Sequence, residues 1–105
     1  MSKKRTPEDI IAGVLLTRKR PVTRQRLAVL TGMSDRDVRE VIERLRRRGL
    51  PVMSTPAKAG YWIAKGPDEV TGYIRAIQHK HNVEMLSASS MDYAKIEEFK
   101  EELNV

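Results

Sequence analysis

The residues best suited to chemistry in this chain are its lysines and arginines, which concentrate in the first half. Residues 1–48 hold 14 Lys/Arg against 6 Asp/Glu, a net charge of +8, whereas residues 49–105 hold 6 against 8, a net charge of −2. A guanidinium can bind a phosphate or a guanine edge through two parallel hydrogen bonds. This asymmetry favours a polyanionic partner for the first half, and a basic surface that serves only solubility is the alternative.

Other chemistries find little support in the 105 residues. The chain has no cysteine, which excludes a disulfide scaffold and a Cys-ligated metal. His79 and His81 are two residues apart and do not share a helical face, so they do not predict a metal site. We find no Ser/His/Asp grouping and no glycine loop for a phosphate, and we expect neither an enzyme nor a cofactor. No apolar run reaches transmembrane length, and we expect a cytoplasmic protein with no membrane partner.

Capping residues predict where the first two helices begin and end. Thr6 begins the first helix, because Pro7 suits the first helical position and Asp9 completes a near capping box. Residues 18–20 are basic and are expected to complement the C-terminal dipole of this helix. Thr23 begins the second helix, and Gly32 ends it because glycine adopts the left-handed conformation at low cost.

Ser34 is expected to cap a third helix over residues 34–48, with a buried stripe of Val38, Val41, Ile42 and Leu45. The charged residues of this helix also form (i, i+4) pairs, which are typical of a solvated face. These predicted pairs are Asp35–Arg39, Arg36–Glu40, Glu40–Arg44 and Glu43–Arg47. The basic residues at 46–48 are expected to complement the helix dipole.

A short hairpin follows the third helix. Residues 50–54 and 61–64 are predicted to be strands, and the Pro and Gly content of residues 55–60 predicts the loop between them. Tyr61 and Trp62 are neighbours on a strand, so they are expected to lie on opposite faces.

Two further helices are predicted in the remainder of the chain. The first begins at residues 66–68 and extends as far as His81, and a break is expected near residues 87–90. Asp92 is expected to cap the last helix, whose apolar stripe is Tyr93, Ile96, Phe99 and Leu103. This stripe can pack on the same protomer or against a second copy, and the pattern leaves both possibilities open.

The order of motifs in residues 22–64 is a helix, a glycine turn, a helix that begins at a serine, a Leu-Gly-hydrophobic segment and a hairpin. The residues that carry the pattern are Leu27, Ala28, Gly32, Met33, Ser34, Val38, Ile42, Leu45, residues 48–52 and residues 60–63. In this order they resemble the winged helix-turn-helix family, in the compact form of biotin-repressor DNA-binding domains and small bacterial and phage regulators.

The resemblance implies an α+β, mostly α fold: a winged helix-turn-helix of three helices plus a β-hairpin wing, with one or two additional C-terminal helices. It divides the chain into a basic flexible arm at residues 1–5, a winged helix-turn-helix domain at 6–66 and C-terminal helices at 67–105.

It also implies that the residues just after Ser34 face the major groove of double-stranded DNA, and that the second helix crosses a phosphate strand. The implied DNA-binding residues are Arg24, Arg26, Ser34, Asp35, Arg36, Arg39, Glu40 and, at the wing tip, Lys58. The acidic members depart from a basic recognition face, because they are repelled by phosphates although they can accept from cytosine.

The expected function is DNA binding in transcription regulation or DNA metabolism of a bacterium or phage, with a homodimer through the C-terminal helices as one arrangement. The alternative is an adaptor that uses the same fold to bind proteins without specific DNA binding.

Overall fold

A computed structural model describes residues 5–55, 58–78 and 88–105. These residues form five helices and one antiparallel hairpin, with the bounds α1 (Pro7–Thr17), α2 (Arg24–Thr31), α3 (Asp35–Arg47), β1 (Val52–Thr55), β2 (Lys58–Ile63), α4 (Pro67–Gln78) and α5 (Lys95–Leu103). The predicted fold class is confirmed: the chain is a mostly helical winged helix-turn-helix with further C-terminal helices. The β1–β2 hairpin is the wing.

The first three helices begin where their capping residues predicted. The Thr6 hydroxyl accepts from the Asp9 backbone, and the Asp9 carboxylate accepts from the Thr6 backbone, which completes a capping box. Thr23 and Ser34 each accept the backbone N–H three residues further on. Such a cap contributes about 1 kcal/mol to stability. Gly32 has a φ of 74° and forms the turn between α2 and α3.

The wing has a neighbour on each side of β2. Val22 exchanges two backbone hydrogen bonds with Tyr61, at 2.9 and 2.8 Å, so β2 lies between β1 and the segment before α2. Gly60 makes this approach possible, because a Cβ on it would lie 2.7 Å from the Val22 carbonyl oxygen. The predicted loop over residues 55–60 is wrong at both ends: β1 includes Thr55, β2 begins at Lys58, and Gly60 belongs to the strand.

The wing separates two apolar clusters. Val52 belongs to the first cluster, between the wing and α1–α3, and Met53 belongs to the second, between the wing and α4. Tyr61 packs on the first and Trp62 on the second, which confirms their predicted opposite faces. The first cluster also contains three apolar residues of α5, namely Ile96, Phe99 and Leu103. α5 is thus packed on this protomer.

The last helix begins later than predicted. α5 starts at Lys95 and has no side-chain cap. Asp92 instead accepts a hydrogen bond from the Ala94 N–H at 3.0 Å, and its own N–H donates to the Gly49 carbonyl at 2.9 Å. The expected cap is wrong because this carboxylate closes a local turn two residues ahead of it. His79 and His81 lie outside the described residues.

Candidate nucleic-acid interface

The N-terminal half of α3 presents a polar face. Its apolar residues Val38, Val41, Ile42 and Leu45 are buried, so the opposite side of the helix faces outward. Arg36, Arg39 and Glu40 lie on that side, and the Arg36 side chain is 87% exposed. The helix that the sequence assigned to groove reading therefore has an accessible surface.

The charges on this face are only partly engaged. Arg36 Nε lies 3.5 Å from Glu40 Oε1, which confirms one of the predicted (i, i+4) pairs. Arg39 forms no ion pair with any residue that the structure describes. Since exposed pairs contribute little, both arginines can reorient toward a ligand at low cost.

Arg24 and Asp35 meet across the helix-turn-helix. Arg24 Nε donates to Asp35 Oδ1 at 2.6 Å, and the two residues are the first of α2 and of α3. Asp35 was expected to pair with Arg39 along the helix, and the structure places Arg24 in contact with it instead. The hydrogen bond to Asp35 and its negative charge raise the pKa of the Arg24 guanidinium, with a smaller contribution from Tyr61. Arg24 is thus charged but partly neutralised.

Arg26 belongs to a separate basic recess. The recess has a volume of about 380 Å³ and is lined by Arg18, Lys19, Arg20, Pro21, Val22, Arg26 and Leu30. The last turn of α1 contains no basic residue, because the helix ends at Thr17. Arg18 is the C-cap of α1 and residues 19 and 20 follow it, so their expected interaction with the helix dipole stays a prediction. A run of three cations just before a proline was the sequence signal for a basic surface here.

Arg46 is a structural residue. It is 6% exposed, and its guanidinium donates to the Val52 carbonyl at 2.8 Å, to Glu43 at 2.9 Å and to the Ser54 hydroxyl at 3.2 Å. Its Cζ also lies 5.2 Å from the centre of the Tyr73 ring. These contacts fasten α3 to the wing and to α4.

Arg48 joins three helices. Its guanidinium donates to Glu8, in the first turn of α1, and to Glu102 of α5 at 3.3 Å. Its Cζ lies 4.8 Å from the centre of the Phe99 ring of α5. Residues 46–48 lie at the C-terminal end of α3 as predicted, but Arg46 and Arg48 also bind residues of other elements, so their role is not limited to complementing the helix dipole. Arg47 is exposed.

The remaining predicted contacts lie at the edges of the described chain. Lys58 is the first residue of β2, and its side chain lies outside the described part. Residues 1–4 of the basic arm also lie outside it, whereas Arg5 donates to the Leu103 carbonyl at 3.1 Å.

Within the described ranges no group of acidic or histidine side chains is arranged to hold a metal. None of the described helices has both the length and the apolar composition to cross a membrane.

A comparison with protein families matches residues 8–62 to the family described as an HTH (helix-turn-helix) domain. The matched span is more than half of the chain and extends from the first turn of α1 nearly to the end of β2. The comparisons with curated proteins and with solved structures found no match.

Proposed function

Because the chain belongs to the HTH domain family, we propose that it is a regulator that binds double-stranded DNA through α3 in the major groove. The exposed N-terminal half of α3, with Arg36 and Arg39 on its outer side, carries this proposal. Ser34 caps this end of the helix, and the first cluster of the core holds the helix against α1, α2 and the wing. This packing fixes the backbone from which the two exposed arginine side chains would extend toward base edges.

The groove-facing residues divide by the part of DNA that they suit. Arg36 and Arg39 suit guanine edges, and Asp35 and Glu40 can accept from the amino group of cytosine. The proposed phosphate contacts are Arg24, Arg26, Ser34 and Lys58. Arg24 is the first residue of α2, and Ser34 is the N-cap of α3. The positive N-terminal end of a helix favours an anion such as a phosphate.

We propose that the protein acts in transcription regulation or DNA metabolism of a bacterium or phage, in the cytoplasm. One winged helix contacts few base pairs, and a homodimer would double the readout on a two-fold site. Ile96, Phe99 and Leu103 of α5 are buried in the core of the protomer. A dimer through the C-terminal helices would therefore use other faces of α4 and α5.

An anisotropy titration on random-sequence duplex DNA at two salt concentrations tests the proposal. We expect binding at low salt that weakens as salt rises, with a log–log slope near −3.6 for about four phosphate contacts. Absence of binding at low salt would contradict the proposal. Selection of bound sites from a random DNA pool then reports specificity and half-site symmetry together.

The second candidate is a protein-binding adaptor, which specific surface features favour. Asp35 and Glu40 make α3 less basic than its surroundings, and Val29 and Leu30 of α2 are 75% and 39% exposed. Apolar side chains on the outside of a helix suit a protein partner better than they suit phosphates. The same titration discriminates, because an adaptor of this kind shows no DNA binding at low salt.

A further inference from the structure

A groove of about 560 Å³ lies where α1, the end of β2 and α5 meet. This volume falls within the range of about 300–1,000 Å³ that is usual for small-molecule sites. Its apolar walls are formed by Leu15, Leu16, Pro21, Ile63, Ala64 and Ile96, and two aromatic residues, Trp62 and Tyr93, also line it. The groove is thus large enough to hold the body of a small ligand against its apolar and aromatic side.

Hydrogen bonds fix the two aromatic side chains. Trp62 Nε1 donates to Glu69 Oε2 at 2.9 Å, and the Lys65 backbone N–H donates to Glu69 Oε1 at 2.7 Å. The Tyr93 hydroxyl donates to the Lys65 carbonyl at 3.1 Å. Both oxygens of Glu69 are therefore engaged by the wall. A ligand would meet a preformed surface and lose little free energy in ordering it.

The charged residues of the groove are mainly basic. Four cations line it, Arg18, Lys19, Lys65 and Lys100, against two carboxylates, Glu69 and Glu97. Within the described ranges, none of these four cations forms an ion pair with another residue. A positive rim above apolar and aromatic walls is complementary to a negative group on an apolar body.

We propose that this groove binds a small organic anion, a carboxylate on an aromatic or aliphatic body. The body packs against Trp62 and Tyr93, and the carboxylate pairs with the basic rim. Arg18, Lys19 and Trp62 lie within the matched residues 8–62, whereas Lys65, Tyr93 and Lys100 follow them, so the site combines the HTH domain with the C-terminal addition of this chain. Because the groove joins α1 and β2 to α5, an occupant also stabilises the packing of α5 by mass action.

The single tryptophan of the chain makes the test direct. Trp62 gives one indole N–H signal in a ¹H–¹⁵N spectrum of the full-length protein, recorded without DNA. We expect 4-phenylbutyrate to shift this signal saturably and to raise the melting temperature. The neutral 4-phenylbutyramide is the matched probe, and we expect it to bind at least about threefold more weakly because it lacks the ion pair.

Substitutions in the rim locate the site. We expect Lys65→Ala and Lys100→Ala each to weaken binding of 4-phenylbutyrate by about threefold, and the double variant by about tenfold. Arg75→Ala is the control, because Arg75 is an exposed cation of α4 outside the groove, and we expect unchanged affinity.

Four results would overturn the proposal. The first is no saturable shift of the Trp62 indole signal, and the second is equal affinity for the carboxylate and the amide. The third is unchanged affinity in the double variant with an otherwise undisturbed spectrum. Saturation by inorganic phosphate as tight as by 4-phenylbutyrate would also contradict it, since the apolar body would then add nothing. All four outcomes are independent of whether the protein binds DNA.

Discussion

The arginines at the two ends of α3 meet opposite surroundings. At the N-terminal half, Arg36 and Arg39 extend from the surface, and the Arg36 side chain is 87% exposed. At the C-terminal end, Arg46 is 6% exposed among hydrogen-bond acceptors from α3 and the wing. Arginine therefore provides a candidate DNA contact at one end of the helix and a buried link to the wing at the other.

The difference has a physical origin in the neighbours that each end meets. The N-terminal half of α3 buries Val38 and Val41, whereas the residues on its other side remain exposed. The C-terminal end is enclosed by the wing, α4, α1 and α5, which supply carbonyls, carboxylates and aromatic rings. A guanidinium can be buried at low cost only where its N–H groups have hydrogen-bond acceptors.

The largest expected effect is that of Arg46→Ala. We expect the free energy of unfolding to fall by about 3 kcal/mol, because the Val52 carbonyl and the Ser54 hydroxyl lose their donor. Urea unfolding measures the change. Arg47→Ala is the matched control, since Arg47 is exposed, and we expect a change within about 0.5 kcal/mol. Similar losses of unfolding free energy in the two variants would show that the burial of Arg46 does not make it more important for stability than the exposed Arg47.

The next effect concerns the open end of α3. We expect Arg39→Ala to weaken binding to a selected DNA site by about 2 kcal/mol, roughly 30-fold, because a bidentate base contact is lost. Stability should change by no more than about 0.5 kcal/mol, since Arg39 is exposed. Anisotropy titrations with Arg75→Ala as control measure the first quantity. Unchanged affinity of the Arg39 variant would place the DNA-binding surface elsewhere on the protein.

Arg48→Ala should have an intermediate effect on stability. We expect a loss of about 1 kcal/mol, because the contact with the Phe99 ring and the ion pair with Glu8 disappear together. Glu102→Gln removes only one weaker ion pair and should cost less than Arg48→Ala in the same unfolding experiment. The reverse order would mean that the packing of α1, α3 and α5 against one another does not depend on Arg48.

The smallest effect tests the contact between Arg24 and Asp35. We expect Asp35→Asn to strengthen non-specific DNA binding by about threefold at low salt, because Arg24 loses its partner and a repulsive charge is removed. Asp37→Asn removes the same charge from the same turn of α3, and within the described residues Asp37 has no ion pair. We expect a smaller gain for Asp37→Asn. Equal gains would show that net charge alone matters.

Signals that lie close together in the chain predicted most of the fold. Thr6, Thr23 and Ser34 each bond to a backbone group three residues away, so the sequence contains both partners in one short window. The alternation of Tyr61 and Trp62 is equally local. The end of the wing loop was missed because Gly60 acts through Val22, which lies far from it in the sequence.

The candidate site was predicted less completely than the fold. The sequence identified the cations and the local pair Arg36–Glu40, but not the partners that lie further away: Asp35 contacts Arg24 eleven residues away rather than its helical neighbour. The hydrogen bonds of Arg48 join it to Glu8, 40 residues away in the sequence, and to Glu102, 54 residues away. No spacing rule connects such distant positions, because only the packing of helices brings them together.

Local patterns were therefore enough to predict the caps, the glycine turn, the wing and the basic character of the helix-turn-helix, since each depends on neighbouring residues or on composition. The tertiary structure alone decided which arginines are buried, which cations surround a groove and which carboxylate neutralises Arg24. Those outcomes depend on charge, burial and hydrogen-bond partners that several elements supply together. Coulombic and desolvation free energies vary with that environment, which a linear pattern does not contain.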